Sequence, residues 1–494
     1  MSDTAVPTAP TAPATPTAPT TATPTTATAT APIGLFDRAL RRIGTIWRDM
    51  ADRVAPGEDE DEGIAGQMRA ILDARGGEVS ARNRAAKLAQ AYLTLDDAGR
   101  RDFLRALAGF DSDPQAVHRA YEAVQAAADP AERATAQARL RRALEPPRVK
   151  LLTQFTTIPD GMKFLVDLRA TLLALMRDDP HLQALESDLR ALLASWFDVG
   201  FLELARIDWN SPASLLERLV GYEAVHEIRS WSDLKNRLDS DRRCYALFHP
   251  RMPNEPLIFV EVALVRGLAD SVQRLLDKKA PVLDPREADT AIFYSISNCQ
   301  RGLAGISLGN FLIKRAVELL GAEFANLKTF STLSPIPGLR RWLDAKLAED
   351  DPALLSEEEA STLRTAAPAE AKASETGPQA LAAILARRGW FRDPAMLRAA
   401  EPVLVRLCAR YLLLEGKNKR ALDPVAHFHL SNGARVERIN ASADTSEKGV
   451  KESATLMVNY LYDPAKIEDY HEDYAGEGKR NASTAVRRLA RGWA

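Results

Sequence analysis

Three short segments of this 494-residue chain bring together residue types that can do chemistry. The first is Gln300 followed by Arg301, Gly302, Leu303, Ala304, Gly305, Ile306 and Ser307. It follows an apolar run and precedes an amphipathic one, so it reads as a turn between a strand and a helix. Such a turn lets successive backbone N–H groups face an anion, and the positive end of the following helix adds to the attraction. A pyrophosphate suits that geometry, although glycines also build ordinary tight turns. The segment lacks the Gly-Lys-Ser/Thr of a P-loop and the GxGxxG of a dinucleotide fold.

The second segment runs from Phe330 to Gly338 and carries Ser331, Thr332 and Ser334 ahead of Pro335 and Pro337. The prolines stiffen the loop and favour extended backbone before each of them, which would hold the hydroxyls in place. The competing reading is a turn whose hydroxyls bond local backbone. The third segment is His427, Phe428, His429, Leu430, Ser431, Asn432, Gly433. Read as a strand, it places His427 and His429 on one face. The pair suggests two metal ligands or a proton carrier; with no third ligand recognisable nearby, no metal is expected. Asn432-Gly433 reads as a hairpin turn.

The elements around these segments divide the chain. Residues 1–33, almost entirely Ala, Thr, Pro and Val, read as a disordered tail. Residues 34–225 read as an all-α bundle. Leu35, Ala39, Ile43, Ile46, Trp47 and Met50 recur at helical spacing, and an acidic run around Glu58–Glu62 reads as an exposed loop. Asp113-Pro114, Asp129-Pro130 and Ser211-Pro212 each look like an N-cap with proline at the first helical position. Strand texture is expected from His226 onward, in Cys244–Phe248, Leu257–Val265, Ala291–Ser297, Lys328–Thr332, Ala426–Leu430, Arg435–Asn440 and Ala454–Tyr462. A helix over Ser307–Leu320 makes the middle of this half a strand–turn–helix–strand unit. A helical insertion spans about 339–415, with an exposed polar stretch at Leu355–Thr376. The fold class is therefore an N-terminal all-α bundle followed by an α+β domain, residues 226–494, with a mixed central sheet.

Composition narrows the function. Lys and Arg total 65 against 67 Asp and Glu, a net charge of −2, so nucleic acid is not an expected partner. Three scattered cysteines argue against a disulfide framework. No apolar run is long enough to span a membrane, and no signal sequence or peroxisomal ending is read; the expected location is cytoplasmic.

Several strings, in the same order, resemble malonyl-CoA decarboxylases: His249-Pro250 through Leu264, Ala291–Ser297, Leu308–Arg315, Leu333–Gly338, and Phe428-His429-Leu430 with Asn432-Gly433. The resemblance is good over His226–Tyr462. It implies a catalytic domain similar to GNAT acyltransferases, with CoA pyrophosphate on Arg301, Gly302, Leu303, Ala304, Gly305, Ile306 and Ser307, although their spacing departs from the usual acyltransferase pattern. It also implies a catalytic serine and histidine, which fall on Ser331 and His429, with Ser334 as competitor for the serine role. Malonyl-CoA is the implied substrate, losing CO2 through a thioester enolate without metal or biotin. No cofactor is implied, and self-association as a dimer or tetramer is. An N-acyltransferase, or a scaffold with an inactive CoA site, would share much of this pattern but has no use for the serine–histidine pair.

Overall fold

The computed structural model describes Trp47, Met50 and residues 63–73, 77–306, 308–368 and 376–491. The tail, most of the helix expected over Leu35–Met50, the acidic run Glu58–Glu62, and Ser307 lie outside the described residues.

Eight helices occupy residues 63–196 among the described residues. Asp113, Asp129 and Asp179 cap three of them by accepting hydrogen bonds from the first-turn N–H groups, each followed by proline at the first helical position. The cap expected at Ser211 is not made. Pro212 itself takes the N-cap position, and Ser211 Oγ instead accepts from the Asp208 N–H. The helix Gly161–Leu175 runs through the centre of this half, with Phe164, Leu165, Leu168 and Leu172 in its core.

The second half is built on a mixed seven-stranded sheet in the order β1-β2-β3-β4-β5-β9-β8. Its strands are β1 (Glu203–Ile207), β2 (Arg242–Phe248), β3 (Ile258–Val265), β4 (Thr290–Asn298), β5 (Thr329–Thr332), β8 (Arg435–Asn440) and β9 (Met457–Tyr462); β6 (Gly416–Lys417) and β7 (Arg420–Ala421) form a separate small hairpin. Strand structure thus begins earlier than the texture at His226 suggests. β1 has a mostly exposed pattern, so it lacks the apolar run by which buried strands are recognised. β2 and β3 are buried along almost their whole length and read as continuous apolar runs.

Among the described residues β4 and β5 are the one parallel pair of strands in the sheet, joined by the crossover helix Gly309–Glu323. Two irregularities interrupt the pairing around β4. Phe293 pairs with Val262 and Ser295 with Glu261, so Tyr294 is an extra, bulged residue in β4. And β5 stops pairing with β4 at Phe293↔Thr332 while β4 continues to Asn298. Ser334 turns away to bridge Val458 on β9. The sheet therefore splits between the end of β4 and the serine loop.

The expected strand Ala426–Leu430 is a helix, Pro424–Ser431, capped by Asp423. Asn432-Gly433 is its stop, not a hairpin turn: Gly433 has φ +79°, and a Cβ there would meet the Ile467 carbonyl at 2.1 Å. The alternation of His and apolar residues imitates a strand, but the buried set Ala426, His429, Leu430 is spaced as on a helix. The insertion holds helices Leu339–Ala348, Glu357–Ala366, Gly377–Ala386 and Pro394–Leu413. Its polar stretch is not all exposed, since Ala360 and Leu363 are buried.

The two halves meet at the glycine turn. Gly302 lies against the helix Gly161–Leu175, where an added Cβ would sit 1.7 Å from the Val166 carbonyl oxygen. The buried Arg169 guanidinium donates to the Gly302 and Ala304 carbonyls (2.6 and 2.9 Å) and to Glu186. Gly302→Ala should therefore cost about 1–3 kcal/mol from overpacking, seen as a melting temperature several degrees lower. An unchanged melting temperature would contradict this close approach.

Candidate active site

His429 is nearly inaccessible, at 2% exposure. Its ring stacks on Tyr460 (centroids 4.5 Å apart, 25° between planes) and meets Phe428 edge-on. Nδ1 lies 2.8 Å from the Tyr462 hydroxyl, and Nε2 lies 3.1 Å from Ser334 Oγ. Burial pushes the imidazole down to about 3, so it is neutral at ordinary pH. Burial also raises the phenols of Tyr460 and Tyr462 well above the usual range.

Ser334 Oγ donates to Thr332 Oγ1 (2.9 Å), which also accepts from the Tyr460 N–H. Tyr462, His429, Ser334 and Thr332 thus form one chain of hydrogen bonds: with its proton on Thr332, Ser334 Oγ accepts from His429 Nε2–H, and Nδ1 accepts from the Tyr462 hydroxyl. Ser331 is not part of it. One residue out of phase along β5, its hydroxyl donates to the Tyr460 carbonyl at 2.9 Å and is wholly buried. The geometry selects Ser334, the competitor left open by the sequence, as the serine beside His429. His427 turns away to the Tyr474 hydroxyl, because residues two apart on a helix point to nearly opposite sides.

Asp423 holds this arrangement together. Its Oδ1 accepts from the N–H groups of Val425 and Ala426 and caps the histidine helix. Its Oδ2 accepts from the Gly338 N–H and the Tyr411 hydroxyl, anchoring the end of the serine loop. Burial raises its carboxyl despite these four donors. Reading the sequence alone passes over Asp423, although Asp423-Pro424 repeats the cap-and-proline signature at Asp113 and Asp129. Asn459 also supports the site, donating to the Thr332 carbonyl at 2.7 Å.

The split in the sheet opens into a cavity of about 350 Å³, lined by Phe293, Tyr294, Ile296 and Asn298 on β4 and by Ser334 and His429 opposite, with Val225, Pro335, Pro424, Val425 and Phe428 completing it. No Lys, Arg, Asp or Glu lines it among the described residues. Asn298 also borders a second cavity of about 680 Å³, which reaches Cys299, Gln300 and Arg301. In the glycine turn itself, Arg301 is exposed while Gly302 and Leu303 are buried. The N–H groups of Leu303, Ala304 and Ile306 bond to Gln300, Arg301 and Leu303 carbonyls within the turn, so these three are committed in the structure. Gly305 has φ +77° and open space around it. No three His, Cys, Asp or Glu side chains converge as a metal site among the described residues.

An all-α half docked on a mixed sheet, with a buried serine–histidine pair where two parallel strands part, defines the class of molecule. Comparison with known proteins identifies the family. Residues 110–197 match the malonyl-CoA decarboxylase N-terminal domain, and residues 200–493 match the C-terminal domain. The malonyl-CoA decarboxylase, mitochondrial, of Anser anser anser is 39% identical over 337 residues, 66% of this chain and 66% of the goose protein. The protein of the same name from Mus musculus is 38% identical over 361 residues, 71% of this chain and 72% of the mouse protein. The crystal structure of malonyl-CoA decarboxylase from Rhodopseudomonas palustris is similar with a TM-score of 0.76 and 41% identity, covering 87% of this chain and all of that one. That from Agrobacterium vitis has a TM-score of 0.77 and 39% identity, covering 86% and 99%. The chain belongs to the malonyl-CoA decarboxylase family. No helix among the described residues is long and apolar enough to cross a membrane.

The burial of His429 has a measurable consequence. Below about pH 6.5 the unfolded chain binds a proton at this histidine that the folded chain refuses until about pH 3. Its contribution therefore lowers stability as pH falls through that window. In denaturant unfolding between about pH 4 and 7, His429→Gln should show a shallower loss of stability with acid than the parent chain. Equal slopes would mean that the imidazole is not buried neutral.

Proposed function

We propose that this chain converts malonyl-CoA to acetyl-CoA and CO2, with Ser334 and His429 as catalytic residues. The observation that carries the proposal is the neutral Ser334–His429 pair at one wall of a cavity without fixed charge.

Decarboxylation breaks the bond between the carboxylate and the methylene carbon. The electron pair passes into the thioester carbonyl to give an enolate, and CO2 leaves. A proton then adds to the carbon, so one proton is consumed for each CO2 released. The thioester carbonyl is itself the electron sink, and the step needs no biotin or metal for that purpose. What it needs is orientation, with the breaking bond perpendicular to the carbonyl plane, and donors at the enolate oxygen, each worth roughly 3 kcal/mol in comparable sites.

The cavity suits this chemistry. A carboxylate entering it loses water and meets no Lys or Arg. A tight cation there would stabilise the ground state and slow the step. In the transition state the charge spreads onto the thioester, which an apolar wall penalises less. The β4 backbone beyond Phe293 has no strand on its β5 side, and its N–H groups are candidates for the enolate oxygen. On substrate binding the Ser334 hydroxyl turns its proton from Thr332 to the reacting end, and His429 Nε2–H supplies the proton that finishes acetyl-CoA. A carbon base as strong as an enolate does not require an imidazolium donor, so a neutral histidine is adequate.

Purified protein with malonyl-CoA should release acetyl-CoA and CO2 in equal amounts, in the presence of a metal chelator. Intact malonyl-CoA would overturn the proposal and favour an acyltransferase or an inactive CoA-binding scaffold. Ser334→Ala and His429→Gln should each lower kcat by about 10²-fold or more. Ser331→Ala should lower stability by about 1 kcal/mol and leave kcat within a few-fold. A larger kcat loss in Ser331→Ala than in Ser334→Ala would return the serine role to Ser331.

A further inference from the structure

The 350 Å³ chamber is the size of an acyl group and the arm beside it, not of a whole acyl-CoA. The second cavity, of about 680 Å³, shares Asn298 with it and follows β4 out to Arg301. It lies between the halves of the molecule. Lys163, Asp167, Ala170 and Thr171, one face of the helix Gly161–Leu175, form one side. Trp47, Tyr92 and Phe164 add an aromatic wall, with Phe164 meeting the other two rings edge-on at 5.5 and 5.6 Å.

Its polar groups are unusual for a structural void. Among the described residues, the Tyr92 hydroxyl lies beside Thr171 with the Arg100 guanidinium over its ring, and Arg100 Nε is buried without a hydrogen-bond partner. Such groups are rare in folded proteins and costly to leave unmet. Three cations border the cavity: Arg100, Lys163 and Arg301. Two carboxylates oppose them. Asp167 sits 2.5 Å from Lys163 Nζ. Glu223 already accepts from the Ser295 and Ser297 hydroxyls and from the Val225 and His226 N–H groups. An aromatic wall, a buried guanidinium N–H without a partner and a net positive lining suit a purine nucleotide bearing phosphates.

We propose that this cavity receives the adenosine phosphate end of the coenzyme, so that the helical half supplies part of the substrate site. The proposal rests on the decarboxylase reading for the identity of the ligand. Asn298 then marks where the pantetheine arm passes from one cavity to the other. Tyr92 and Arg100 donate to the nucleotide, while Arg169 from the same helical half fixes the turn beneath it.

The test compares malonyl-CoA with malonyl-pantetheine, which lacks the nucleotide, in steady-state kinetics. Arg100→Met should raise KM for malonyl-CoA about tenfold or more, the loss expected for a hydrogen bond to a charged group, and Tyr92→Phe should raise it several-fold. Neither should change kcat/KM for malonyl-pantetheine, and Tyr92→Phe should not lower the melting temperature. Equal losses on both substrates, or no loss on either, would overturn the proposal. If the parent chain turns over neither substrate, the decarboxylase reading fails instead. Calorimetry with adenosine 3′,5′-bisphosphate then decides the cavity separately: binding weakened in both variants supports it, and no binding to the parent chain overturns it.

Discussion

A buried carboxyl group that forms no salt bridge among the described residues sets the geometry of this site. Asp423 is fully buried and is satisfied by three backbone N–H groups and one phenol. Removing a carboxyl group from water costs more than any one of those contacts returns, so the arrangement is stable only when all are made together. Two donors come from the first turn of the histidine helix and one from the end of the serine loop. Capping that helix therefore also locates Gly338, and with it the Ser334-Pro335-Ile336-Pro337 segment. Ser334 and His429 are 95 residues apart in sequence, yet neither segment can shift without leaving unmet the carboxyl that holds the other.

The sheet does the rest by failing to close. A parallel pair that continued to the end of β4 would have filled the space beside Phe293 and Tyr294 with backbone. Instead the chain after Thr332 leaves β4 and bonds to Val458 on β9, under the constraint of two prolines. β9 then presents Tyr460 and Tyr462 on one face, two residues apart as a strand requires. One stacks on His429 and the other bonds its Nδ1. The histidine is oriented from two sides and dried by the same contacts. Its depressed basicity comes from the packing that makes the serine contact geometrically definite.

Much of this is legible in the sequence, for identifiable reasons. Buried strands β2 to β4 are mostly apolar runs, and the caps at Asp113 and Asp129 carry explicit signals. β1 is not legible because an edge strand with an exposed face lacks such a run. The histidine segment passes for a strand because His-Phe-His-Leu alternates over four residues, too short a window to separate a strand from one helical turn. The preceding Asp-Pro would have decided it. Choosing between Ser331 and Ser334 needs register. Ser331 lies within β5 and Ser334 two residues past its end, and only the three-dimensional path shows one bonded to the Tyr460 carbonyl and the other facing the histidine. The donors of the glycine turn pose a similar difficulty, since its glycines do not reveal that the turn closes on its own carbonyls and on Arg169.

The two-part architecture can be understood as a separation of opposed electrostatic demands. An acyl-CoA brings several phosphate charges that favour cations, and a malonyl group brings one carboxylate whose loss is hindered by them. A single pocket would have to satisfy both. Here the chamber at Ser334 and His429 has an uncharged lining, while Arg100, Lys163 and Arg301 border the other cavity. Two of those three cations come from the helices before Trp196, none of whose described side chains lines the chamber. The clamp of Arg169 on the Gly302 and Ala304 carbonyls is then more than a domain contact. It fixes how the charged cavity sits relative to the uncharged one.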